Sequence, residues 1–476
     1  MPGFIDNHLH FVMGSLQLSR VQLRDAASPA EFVDRIAAHA ARLGPGRWIT
    51  GGSWDEQGWT PVAMPARQMI DAVTADNPVF VTRLDVHMGL ANSLALKLAG
   101  ITRETPDPPG GTIVRDADGE PTGLLKDAAM PAMFAVIPPP TLDERIEAIR
   151  AGLREAARFG VTAFCDMGMS AEAFDDFRAW QRVERAGELT ARVSMYTPIG
   201  AYERLKAAGI EKRFGSERLR IGGLKGFADG SLGSATAGMR EPFTDEPHHC
   251  GLMMEPMTDG SMARWVGDAD AHELQLAIHA IGDRANAEVL DIYASRPSFR
   301  DRRFRIEHAQ HLDSDLIRRF ATSGVIAAMQ PYHAIDDGRW AERKVGALRA
   351  RSTYAFRSLI DAGAHVTFGS DWPVAPLDPI LGIYAAVTRR TLDGRHPDGW
   401  IPEQKVTVDQ ALRCYTTNGA WAMFAENEIG TIAPGHLADI AVLSDDLFSI
   451  EPAAIENVKV EMTVFDGKVV WDADAQ

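Results

Sequence analysis

Five apolar, strand-like runs spread through this chain end in a histidine, a lysine or an aspartate, and that repetition constrains the fold more than any other feature. They are Gly3-Phe4-Ile5-Asp6-Asn7-His8-Leu9-His10, the run through Leu219, Ile221 and Leu224 to Lys225, Gln275-Leu276-Ala277-Ile278-His279, Arg305-Ile306-Glu307-His308, and Val366-Thr367-Phe368-Gly369-Ser370-Asp371. Further strand-like runs at residues 79–83, 161–167, 191–196 and 325–331 alternate with amphipathic helical patterns at 29–43, 143–159, 171–186 and 202–208. Strand and helix in alternation predict a parallel sheet, and polar residues at successive strand ends predict its closure as a (β/α)8 TIM barrel with the chemistry at that face.

Each polar residue also has an ordinary reading when taken alone. Lys225 stands between an apolar run and the glycine-rich Gly226-Phe227-Ala228-Asp229-Gly230-Ser231-Leu232-Gly233. Buried, such an ammonium is costly unless it is paired or chemically altered; the bland alternatives are a pair with Asp229 or an exit to solvent. His8 and His10, two residues apart in a strand, share one face. His87 and Asn92 follow the run 79–83 and are either substrate-facing or structural. His248-His249-Cys250 reads as loop decoration, because adjacent side chains in an extended chain point apart.

At 476 residues the chain has room for one large barrel with a smaller domain, and 45% hydrophobic with 24% charged residues suits a soluble enzyme. The expected division is a barrel with inserted loops over residues 1–425 and a small β-domain over 426–476. In the latter, short alternating strands begin at Gly430 and include a hairpin at Asp466-Gly467. A net charge of −16 disfavours nucleic acid or an anionic membrane as partner. Three scattered cysteines, no signal-like start and no long apolar segment read as a cytoplasmic protein.

Collected in order, His8, His10, Lys225, His279, His308 and Asp371 resemble the amidohydrolase superfamily, in particular its binuclear metal-dependent hydrolases and the amidohydrolase family 3 branch that contains N-substituted formamide deformylases. The phrases that carry the resemblance are Pro2 to His10, Lys225 to Gly233, His279-Ala280-Ile281-Gly282-Asp283-Arg284-Ala285, Glu307-His308-Ala309-Gln310 and Gly369-Ser370-Asp371. Near the carboxyl end, Gly430-Thr431-Ile432-Ala433-Pro434-Gly435 and Ala438-Asp439-Ile440 add to it.

The resemblance implies that His8 and His10 hold one metal, that His279 and His308 hold a second, and that Lys225 bridges them as an N6-carboxylated lysine with Asp371 beside a bridging hydroxide. A desolvated, neutral lysine is nucleophilic toward carbon dioxide, and its carbamate is an anionic oxygen ligand. Two divalent ions are expected, Zn2+ first from the mixed nitrogen and oxygen donors, with Mn2+, Fe2+ or Co2+ as alternatives. The expected reaction is hydrolysis of a carbon–nitrogen bond of amide or formamide type, Asp371 serving as general base and then acid. His87, Asn92 and Gln330 are weaker candidates for orienting a small-molecule substrate, and Trp54, Trp59 and Trp372 either line its pocket or pack.

Family members usually carry a few dozen residues before the His-x-His strand that complete a β-sandwich with the carboxyl-terminal strands. Here the chain begins almost at that strand, so the expectation is either a small domain reduced to its carboxyl-terminal half, its open edge suited to a homo-oligomer contact such as a dimer, or a truncated start. Competing readings are a mononuclear deaminase-like hydrolase with a structural Lys225, a lactone or ester hydrolase, and a catalytically silent interaction protein.

Overall fold

The run Phe4–Leu9 is buried at every position, as an interior strand of a parallel sheet must be. In the computed structural model, which describes all residues except 57–58, 84–87, 109–110, 128, 169–172, 234, 297–301 and 476, this strand opens an eight-stranded sheet. The other strands, in sequence and in spatial order, are Val161–Met167, Arg192–Pro198, Leu219–Phe227, Gln275–Ala280, Arg305–His308, Ile326–Met329 and Val366–Phe368. Every pairing along it is parallel.

The ends of this sheet meet. The Asp371 N–H donates to the His8 carbonyl at 2.7 Å, and the Ser370 N–H donates to Asp6 Oδ1 at 3.0 Å. First and eighth strands are therefore joined at their carboxyl ends, and the (β/α)8 expectation holds. Helices between the strands bury one face each: Leu142–Arg158 turns Ile149, Leu153 and Ala156 inward, and Ser314–Ser323, capped by Asp313, does so with Leu316 and Phe320.

The chain divides into two compact units, Met1–Gly14 with Arg145–Gln476, and Ser15–Glu144. The expected division lay at residue 425. The second unit, expected as loops inserted in the barrel, has its own six-stranded mixed sheet, in which Ile49–Trp54 pairs parallel with Val79–Arg83 and the hairpin Gly111–Arg115 with Pro121–Asp127 completes the other side. Val21, Phe32, Ile36, Trp54, Trp59 and Val81 are among the residues of its core. Its helix Pro29–Leu43 starts as predicted, with the Ser28 side chain accepting from the Glu31 N–H.

The small β-element is part of the first unit. It is a single antiparallel sheet of Ile440–Leu443, Val460–Phe465 and Lys468–Asp472. Its hairpin turns at Asp466 and Gly467, both with positive φ. The expected strand at Gly430 is absent, Gly430 and Thr431 being bends and Ile432 irregular. Likewise the expected single helix 408–424 is two, Val408–Cys414 and Thr417–Ala422, because Thr416 leaves helical geometry at φ −134° and ψ −93°. Pro2 bridges to Ile440, so the amino terminus runs along that sheet. Among the described residues no helix is long and apolar enough to cross a membrane.

Candidate metal centre

His8, His308 and Asp371 are all buried, and each offers a ligand atom within 4.8 Å of the other two. His10 joins them, its Nε2 lying 3.2 Å from Asp371 Oδ1, with His8 Nε2 3.5 Å from the same oxygen. Lys225 Nζ stands 3.4 Å from His8 Nε2. The His279 ring packs 4.6 Å from that of His308, centroid to centroid. All six strand-end residues are thus gathered at one end of the barrel. The backbone carries strain there: His308 and Asp371 both have positive φ, 73° and 61°, unusual for residues other than glycine.

Each histidine has one ring nitrogen tied to an oxygen. Nδ1 of His8 donates to Glu307, Nδ1 of His10 to the Met167 carbonyl at 2.6 Å, Nδ1 of His308 to Gln330 Oε1 at 2.7 Å, and Nε2 of His279 to the Gly230 carbonyl at 2.9 Å. Such bonds fix ring orientation and tautomer, and leave one lone pair per ring for a metal. Burial, together with the Lys225 cation, pushes His8 down to about 3, and burial takes His308 well below the usual histidine range. Both rings are therefore neutral near pH 7, as a ligand must be.

Asp371 supplies negative charge. Burial opposes ionisation, yet His8 and His10 hold its carboxyl well below the usual range. Its Oδ1 is buried and has no well-directed hydrogen bond, although two imidazole nitrogens face it. A cation among these atoms would satisfy that buried oxygen. Ligands about 2.0–2.1 Å from a tetrahedral zinc lie roughly 3.3 Å apart, close to both separations measured here. The residues present therefore fit a divalent metal.

Lys225 is 2% exposed, and burial pushes its ammonium down to about 8 against the pull of Glu307 and Asp371. The alternative of a pair with Asp229 is excluded by geometry. Asp229 accepts from the backbone N–H groups of Gly238, Gly282 and Ile281 at 2.8, 2.8 and 3.0 Å. The exit to solvent is excluded by burial.

Other residues singled out above have different positions. Asn92 caps the helix Ser93–Leu98 by accepting from the Ala95 N–H, and its amide donates to Thr74 and to the Asn77 carbonyl. Its hydrogen-bonding capacity is thus spent on the second unit's own backbone, not on a substrate. Trp54 and Trp59 belong to that unit's core. Trp372, 7% exposed, packs its ring against Phe11. Gln330 holds His308 rather than facing open space, and His87 lies outside the described residues. His249 packs against Phe243, in keeping with loop decoration.

Glu307 and His333 are the residues that sequence reasoning passed over. Glu307 is fully buried and is held ionised at about 2 by Arg305 and His8 in spite of that burial. Its signal was an arginine and a glutamate two residues apart in an apolar strand, a pair that only a buried polar network explains. His333 follows the seventh strand in Gln330-Pro331-Tyr332-His333, and its Nε2 lies 3.9 Å from Asp371 Oδ2.

The comparisons with known proteins agree with this geometry. The amidohydrolase family model matches residues 1–471. Protein LONG AFTER FAR-RED 3 of Arabidopsis thaliana is 39% identical over 456 residues, 93% of this chain and 77% of that protein. The N-substituted formamide deformylase of Arthrobacter pascens is 28% identical over 507 residues, 99% of this chain and 88% of that enzyme. Among solved structures, an uncharacterized metal-dependent hydrolase from Pyrococcus horikoshii OT3 matches with a TM-score of 0.80 at 30% identity, covering 95% of this chain and 87% of that one.

Proposed function

Since the chain belongs to the amidohydrolase family, we propose that it hydrolyses a carbon–nitrogen bond of amide or formamide type in a small molecule. In this reading two divalent ions, zinc first, are held by His8, His10, His279, His308, Asp371 and a carboxylated Lys225. The observation that carries it is the set of four histidines, each with one nitrogen anchored to an oxygen, three of which gather about Asp371 while His279 packs on His308. Metal ions in such a site acidify water and polarise a carbonyl.

The chain's own residues supply the rest. Asp371 accepts the proton of the attacking water at its carboxylate and returns it to the leaving nitrogen. Glu307 and Gln330 keep His8 and His308 in the ligating tautomer. Lys225, desolvated and readily neutral, reacts with carbon dioxide, and the resulting carbamate balances positive charge that four neutral imidazoles cannot.

Metal analysis joined to a hydrolysis panel of formamides, amides, lactams, carbamates and esters tests the proposal. Two ions per chain, turnover of a C–N substrate, and loss of both in Lys225→Ala with recovery by a short carboxylate such as acetate are the expected results. Full activity and two ions in Lys225→Ala would remove the carbamate from the account. The close trio His8, His308 and Asp371 favours one alternative, a mononuclear hydrolase. It predicts a single tightly bound ion and an unmodified lysine.

A further inference from the structure

Asp371 presents its two oxygens to different neighbours. Oδ1 faces the free nitrogens of His8 and His10, whereas Oδ2 faces His333 Nε2 across 3.9 Å. That gap exceeds a hydrogen bond. His333 Nε2 is nevertheless buried and has no hydrogen-bond partner, which in a polar site asks for an explanation. An atom bonded to both groups at about 2.8 Å would see them at roughly 90°, an easy angle for a tetrahedral nitrogen.

The position of His333 is also well determined. It lies in the helix Pro331–Asp337, entered directly from the seventh strand through Gln330, whose side chain holds His308. The His333 and His308 rings lie nearly parallel, 13° apart with centroids at 6.4 Å. At the other end of the helix, Asp337 accepts from the Tyr354 hydroxyl at 2.7 Å and from the Gln310 amide at 3.1 Å. Both ends of this short helix are therefore fastened, and the imidazole between them is held at the edge of the candidate metal centre.

We propose that His333 is a further catalytic residue, whose Nε2 hydrogen-bonds the leaving nitrogen of the scissile bond and holds it against Asp371 Oδ2. This rests on the hydrolytic reading above. Water adds to the carbonyl carbon, and the proton Asp371 takes from that water passes from Oδ2 to the nitrogen. The C–N bond then breaks with its electron pair remaining on nitrogen. A carboxylic acid and a neutral amine result, and His333 ends with the protons it began with. The preferred substrates are accordingly compounds whose leaving group needs both a hydrogen bond and a proton, amides rather than activated esters.

Metal-reconstituted wild type, His333→Ala and His333→Gln are compared for bound metal, for kcat/KM on N-butylformamide, and for kcat/KM on 4-nitrophenyl acetate, whose phenolate departs without a proton. The expected pattern is a fall of about 100-fold on the formamide in His333→Ala, partial recovery in His333→Gln, which restores a hydrogen-bonding group, and ester rates and metal content near wild type. Equal formamide rates in all three proteins overturn the proposal, as do parallel losses on both substrates or loss of metal, each of which marks a structural role. A wild type that cleaves the ester and no amide of the wider panel overturns the C–N reading itself, and the role of His333 falls with it.

Discussion

Glu307 precedes His308 in sequence, yet its carboxylate bonds Nδ1 of His8, a residue 299 positions away. One strand therefore offers a ligand to the site and, from the next position, orients a ligand on the strand that opens the barrel. Arg305 completes the arrangement, donating to Glu307 at 2.9 Å and to the Asn7 carbonyl.

The first prediction follows from that bond. Glu307→Gln keeps the shape and removes the charge, so the bond that orients His8 loses its anionic acceptor, and Arg305 loses its counter-ion. Zinc affinity is expected to fall about 10–100-fold, as for other partners of metal-binding histidines. Competition with a chromophoric chelator measures it, circular dichroism controls for folding, and unchanged affinity would refute the orienting role.

The second concerns closure of the barrel. A Cβ on Gly369 would lie 2.5 Å from the His8 nitrogen and 2.9 Å from its carbonyl oxygen, backbone atoms that cannot rotate away. Gly369→Ala should push the eighth strand's end from the first, cost about 1–3 kcal/mol of stability, and separate Asp371 from His8. Gly200→Ala, into open space, is the control. Urea denaturation and metal stoichiometry read both effects, and a Gly369→Ala protein as stable and as metal-loaded as the control would contradict them.

The barrel and its strand-end residues were legible in the sequence because each barrel strand advertises itself locally, by an apolar run and a polar residue where it stops. Nothing local distinguishes Val79–Arg83 from those strands. It has the same apolar run, and its assignment to a separate sheet depends on pairing with Ile49–Trp54 and Met88–Ala91. The same limit hid the Glu307–His8 bond and the Asp371–His333 gap, since each joins residues from different elements of the fold. The break at Thr416 was masked by continuous helical periodicity from 408 to 424. Close packing of Gly419 on Ile5 and Asn7 is the tertiary contact that accompanies it.

The third prediction tests how the small sheet is tied to the barrel. Arg192 on the third barrel strand meets Asp439 in a two-pronged pair, at 2.7 and 3.0 Å, with both side chains about 5% exposed or less. Asp439 also accepts from the Asp466 N–H at 2.9 Å. Asp439→Ala leaves buried Arg192 with only the longer carboxylate contact to Asp466 at 3.5 Å, so it should cost about 3 kcal/mol, and adding Arg192→Met should restore much of it. Strict additivity of the two substitutions in urea unfolding would show that the pair is not coupled.

The last prediction is a pH dependence. His311 is buried, its Nδ1 bonded to Thr353 Oγ1 at 2.8 Å, and burial with the nearby Arg349 cation pushes it down to about 3. In the unfolded chain its ordinary value is 6.5. Between those values the unfolded state binds a proton that the folded state refuses, so stability falls as pH is lowered from about 6.5 towards 3 and is unaffected by this group above that window. One proton corresponds to about 1.4 kcal/mol per pH unit at most. His8 and His308 act in the same direction, so the difference between wild type and His311→Asn isolates the one residue. Urea unfolding at intervals from pH 4 to pH 8 should show the wild-type curve steeper on its acid limb and the two curves parallel above about pH 7. Curves parallel throughout would mean that His311 takes up its proton without unfolding, and that its site is more open to water than its burial indicates.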